Sequence, residues 1–151
     1  MTADNQTARP LRIFLCHSSG DKHIVRQLYQ KLRDDKFEPW LDEEDLLPGQ
    51  NWRHEITKVV RSSDAVIVCL SRDSINKEGF VQKEIRVALD VADEKLPDAI
   101  FIIPLRLEEC NVPERLSHLN WVDLFKEKGY ERLVKALESR RRSPDKTVNP
   151  R

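Results

Sequence analysis

The sequence predicts a doubly wound α/β domain, a parallel sheet of about five strands with helices on both faces. Three observations predict it. Short runs that are apolar throughout alternate with amphipathic stretches of helical length, and strands without polar alternation are those buried on both faces. Polar and turn-forming residues collect in the links that follow the apolar runs. A length of 151 residues with 39% hydrophobic content fits one domain with a real core and short tails, and a second domain will not fit.

The elements follow in order. "RIFLC" (12–16) is the first strand and "DKHIVRQLYQKLRDD" (21–35) the helix after it, then "EPWL" (38–41) and "WRHEITKVVRSS" (52–63). "AVIVCL" (65–70) is a third strand, followed by a helix that opens on "GFVQKEI" (79–85). "AIFIIPLRL" (99–107), a polar link, "LNWVDL" (119–124) and the helix "YERLVKALESRR" (130–141) complete the series. Ligands in such a fold sit beyond the carboxyl ends of the strands. The loops there are "HSSGDK", "DEEDLLPGQN", "SRDSINKEG" and "EECNVPE".

Residues 1–10 are expected to be a disordered tail, residues 11–138 the domain, and residues 139–151 a basic, proline-containing tail or the start of a linker to a further domain. Twenty-six basic residues balance 26 acidic ones, so no overall field points to nucleic acid or a membrane surface. Cys16, Cys69 and Cys110 lie far apart with no disulfide or zinc spacing, and Cys16 and Cys69 fall inside apolar runs. With no signal-like or membrane-length apolar segment, the expected location is the cytoplasm.

The helix that opens on "GFVQKEI" poses a problem of polarity. At roughly 100° per residue, Phe80, Val81, Glu84, Ile85, Val87, Ala88, Val91 and Ala92 share one arc, and Gln82, Lys83, Arg86, Asp90, Asp93 and Glu94 take the other. Glu84 falls near the middle of the apolar arc. Its neighbours three and four positions away are Phe80, Val81, Val87 and Ala88, so no Lys or Arg of the helix can pair with it. A carboxylate placed there is costly unless something uses it. It also stands in the first turns after the third loop, at the ligand-binding edge of the sheet.

Other residues carry weaker signals. His17 has no marked nucleophile to activate, so it is assigned no catalytic role. Ser18, Ser19 and Asp21 suit either a weak anion-binding loop or the N-cap before Lys22. Asp42, Glu43, Glu44 and Asp45 are consecutive carboxylates that point in different directions with no His or Cys among them, so a solvated loop is expected and no metal. Leu46 and Leu47, held before the turn pair Pro48 and Gly49, point to a protein contact surface. A phosphate-accepting receiver would need an Asp at the end of the third strand, where Leu70 and Ser71 stand.

Taken together, "RIFLCHSSGDK", "WLDEEDLLPGQNW", "SDAVIVCLS" and "GFVQKEI" resemble the boxes of a bacterial-type TIR (Toll/interleukin-1 receptor) domain over about residues 11 to 138. The resemblance implies a flavodoxin-like sheet of five parallel strands. It also implies cleavage of NAD+ at the nicotinamide–ribose bond, giving nicotinamide and ADP-ribose or a cyclic form of it. Glu84 would be the catalytic carboxylate, with the aromatic Phe80 four positions before it. Phe14, His17, Ser18, Trp40, Asp42 and Phe80 would contact the substrate. The loop Asp45, Leu46, Leu47, Pro48 and Gly49 would pack TIR domains on one another, as a homo-oligomer or a filament on activation.

Two functions from different classes follow. One is an NAD+ glycohydrolase acting as the effector or signal generator of a bacterial defence system, with NAD+ as substrate and no cofactor. The other is a non-catalytic TIR scaffold or adaptor acting by TIR–TIR contact. Glu84 favours the first, because a scaffold has no need of an unpaired carboxylate on an apolar helix face. Neither needs nucleic acid or a membrane.

Overall fold

The computed structural model describes residues 10–41, 47–76, 86–91, 94 and 101–142. Strands β1 (Arg12–Cys16), β2 (Glu38–Leu41), β3 (Ala65–Leu70), β4 (Ile102–Arg106) and β5 (Val122–Asp123) all pair in parallel, in the order β2-β1-β3-β4-β5. The chain leaves β1 in one direction to form β2, then crosses back beyond β1 to β3. The order therefore reverses between β1 and β3, which opens a crevice at their carboxyl ends.

Strand sequence and position agree. Every residue of the central β3 is buried, as are Ile13 to Cys16 of β1. The edge strand β2 is less complete: Glu38 is exposed and Trp40 half-buried, and its proline at position 39 is tolerated because one side of the strand makes no ladder. Alternate residues of β1 feed two cores. Ile13 and Leu15 pack with Leu28 and Leu32 of α1 (Lys22–Asp34) and Leu133 and Leu137 of α5 (Gly129–Arg142). Phe14 and Cys16 pack on the other face with Ile56 and Val60 of α2 (Trp52–Ser62) and with Val87, Ala88 and Val91.

Between α2 and α5 lie a short α3 (Arg72–Asn76) and helical residues 86–91, here α4. In α4, Val87, Ala88 and Val91 are buried while Arg86 and Asp90 are exposed, the division the helical period predicts. Three details differ from the sequence reading. The stretch expected as a plain third loop contains α3. The last strand is only two residues long. Helix α5 is one residue longer at each end than the expected 130–141; Arg140 is 7% exposed and donates through Nε to the Asp64 carbonyl at 2.9 Å, which ties the helix end to the turn before β3.

Candidate functional site

The crevice is built from the loops after β1 and β3. His17, the first residue beyond β1, is 1% exposed, and its Nδ1 lies 3.2 Å from the Leu15 carbonyl oxygen. A carbonyl can only accept, so Nδ1 carries the proton and in the neutral ring Nε2 is left as a bare acceptor. Nε2 is buried without a hydrogen-bond partner among the described residues. A buried acceptor left unmatched costs about 1–3 kcal/mol, which a donor brought by a ligand would recover.

Ser18, also buried, donates its hydroxyl to Asp21 Oδ2 at 3.2 Å, and its carbonyl accepts the Asp21 amide at 3.0 Å. Asp21 occupies the N-cap position of α1 but makes no side-chain capping bond, so the capping role open to it from the sequence is not taken. Its carboxylate turns instead to the crevice and accepts the Ser71 hydroxyl at 2.7 Å. Ser71 opens α3 through a reciprocal capping arrangement: its Oγ accepts the Ser74 amide at 3.1 Å, and Ser74 Oγ accepts the Ser71 amide at 2.9 Å. The sequence reading missed Ser71, Ser74 and this use of Asp21. The available signal was serines three apart after the third strand, the spacing of a cap.

Phe14 and Trp40 are partners in the β1–β2 register, and their rings lie 5.4 Å apart at 36°. Phe14 is fully buried, so it has no surface of its own for a ligand and instead backs the half-buried Trp40. Trp40 also lines a recess of about 200 Å³ with Pro39, Val59 and Ser62. That recess includes Arg12 and Glu38, the first residues of their strands, so it lies toward the opposite end of the sheet from His17.

In the second loop, Pro48 and Gly49 form the centre of a turn closed by Gln50 N–H to the Leu47 carbonyl at 3.1 Å. Gly49 has φ +91°, a left-handed conformation that favours glycine at the third position of a type II turn after proline. The turn lifts Leu47 to 68% exposure. Asp42, Asp45, Leu46, Phe80 and Glu84 lie outside the described residues. Val87 and Ala88, three and four positions after Glu84, are described and buried.

The other half of the carboxyl edge is pinned by charge. Arg106, the last residue of β4, donates to both carboxylate oxygens of Asp123 in β5, at 2.6 and 2.9 Å, and to the Cys110 carbonyl at 2.7 Å. Hydrogen bonding to Arg106 is the main reason the Asp123 carboxyl is held below its ordinary value. Trp121 and Phe125 flank the guanidinium, their ring centroids 5.7 and 5.6 Å from its carbon. Glu108 reaches back to accept the Arg72 amide of α3 at 2.8 Å, so the loops after β3 and β4 are also joined.

The family model for the TIR domain matches residues 13–137. The chain belongs to the TIR domain family. Over 143 residues this TIR domain is 31% identical to an uncharacterized protein of Sinorhizobium fredii, covering 91% of the chain and 22% of that protein. It is 25% identical over 138 residues to a protein of Methanobrevibacter olleyae named probable 2' cyclic ADP-D-ribose synthase, covering 91% of the chain and 36% of the relative. To an NAD(+) hydrolase of Paracoccus denitrificans it is 39% identical over 84 residues, 55% of the chain and 28% of the relative. The TIR domain thus spans well under half the length of these relatives. Among the described residues no helix is long and apolar enough to cross a membrane.

Proposed function

We propose that this TIR domain is an NAD+ glycohydrolase in which Glu84 supports departure of nicotinamide. The observation that carries the proposal is the burial of Val87 and Ala88 in the core against the sheet: they stand three and four positions after Glu84 in the sequence, the spacing that puts helical residues on one face. A carboxylate beside the ribose stabilises the positive charge that develops as the glycosidic bond breaks. Water-poor surroundings strengthen that interaction. The names of the Methanobrevibacter and Paracoccus relatives support the same substrate.

His17 Nε2, an acceptor without a hydrogen-bond partner among the described residues, suits a donor of the nucleotide such as a ribose hydroxyl. The exposed Leu47 gives a contact for a second copy of the domain. The test is chromatography after incubating concentrated protein with NAD+. Nicotinamide together with ADP-ribose or a cyclic form is the expected result. Intact NAD+ at high protein concentration would favour the scaffold, for which the same exposed leucine is the supporting feature.

A further inference from the structure

We propose that Asp21 and Ser71 form a positioning pair that holds the His17–Ser18 turn against the loop after β3, and that this pair sets the affinity for the nucleotide. The inference rests on the reading of the β1/β3 crevice as an NAD+ site. The two residues are 50 apart in sequence, and each belongs to one of the two loops that diverge where the strand order reverses. Their bond therefore joins the two loops at the carboxyl ends of β1 and β3. One carboxylate oxygen of Asp21 receives both Ser71, at 2.7 Å, and Ser18, at 3.2 Å, so the loop after β3 and the turn that carries His17 are referred to a single atom.

The chemistry is more demanding than a structural tie requires. Asp21 is 6% exposed, and its carboxylate accepts the neutral hydroxyls of Ser18 and Ser71. A buried carboxylate satisfied by neutral hydroxyls loses more hydration than a neutral amide would, and Asp21 also forgoes the capping bond open to it at the start of α1. What the charge adds is a shorter, stiffer hydrogen bond than a neutral pair makes. Ser71 passes that stiffness on, since the oxygen that donates to Asp21 also accepts the Ser74 amide in the first turn of α3.

The experiment measures NAD+ affinity by calorimetry on full-length chains carrying Glu84→Gln to suppress turnover, well below the melting temperature. Asp21→Ala is expected to weaken NAD+ binding about tenfold or more. Asp21→Asn keeps a carbonyl oxygen for the two hydroxyls but not the charge, and is expected to weaken binding by less than Asp21→Ala does. Ser71→Ala should weaken binding, and its effect should largely vanish in combination with Asp21→Ala, as for two halves of one contact. Folded variants that bind like the parent, or losses that simply add, would overturn the proposal. If Asp21→Ala does not fold, the cycle of Asp21→Asn with Ser71→Ala decides in the same way: undiminished affinity in the Ser71→Ala chain is the overturning result. Failure of the parent itself to bind NAD+ would remove the NAD+ site and the positioning role together, whereas a binding parent with indifferent variants removes only the latter.

Discussion

A histidine at the end of a strand is usually a satisfied structural residue, and among the described residues His17 Nε2 has no hydrogen-bond partner. Its Nδ1 bond to the Leu15 carbonyl is worth about 1 kcal/mol, and the unmatched Nε2 costs about 1–3 kcal/mol, so the ring is at best neutral to the free fold. His17→Leu should therefore leave the melting temperature unchanged or raise it, while NAD+ affinity falls about tenfold because the acceptor is gone. Loss of stability with unchanged affinity would make His17 a structural residue. Gly49 illustrates a different residue-scale demand: its φ of +91° fits the turn, and a Cβ there would meet nothing within 4 Å, so the requirement is conformational and not steric. Gly129 is the reverse case, since a Cβ would run into the Asp123 carbonyl oxygen where α5 abuts β5.

Among the elements, those with one clear period were legible. The apolar runs of β1 (after Arg12) and β3 and the amphipathic α1, α2 and α5 fall where the sequence places them, because burial on one or both faces dictates the pattern directly. The short α3 was not legible, since its five residues depend on the Ser71–Ser74 cap and on Asp21 from another loop. The same holds for Arg106 and Asp123, whose pairing follows from the β4–β5 register and not from any local motif. Their pair should be visible in acid. The Asp123 carboxyl titrates lower in the folded chain than in the unfolded one, so its stabilisation is fully present above the unfolded value of about 3.9 and is lost as the pH falls through the folded value. Asp123→Asn should lower the melting temperature at pH 7 and flatten its fall below about pH 4. An unchanged slope would show that other carboxylates dominate acid unfolding.

For the whole molecule, the fold places His17, Asp21 and Ser71 at the β1/β3 crevice and presents Leu47 from the loop after β2. If a neighbouring copy helps to complete the site, specific activity should rise with protein concentration by mass action, and Leu47→Asp should weaken both self-association and that rise. Identical sedimentation of the variant and the parent would exclude this surface as the contact. The sequence singled out the carboxylate and the loop, but the partner atoms of the crevice came from residues distant in the chain, which one sequence does not pair. The most direct measurement is the initial rate of nicotinamide release from NAD+ by concentrated wild-type protein and by Glu84→Gln. Loss of about a hundredfold or more in a folded Glu84→Gln chain is the expected result, since the change keeps size and removes the charge that stabilises the transition state. Near wild-type turnover in that variant would contradict the assignment of Glu84.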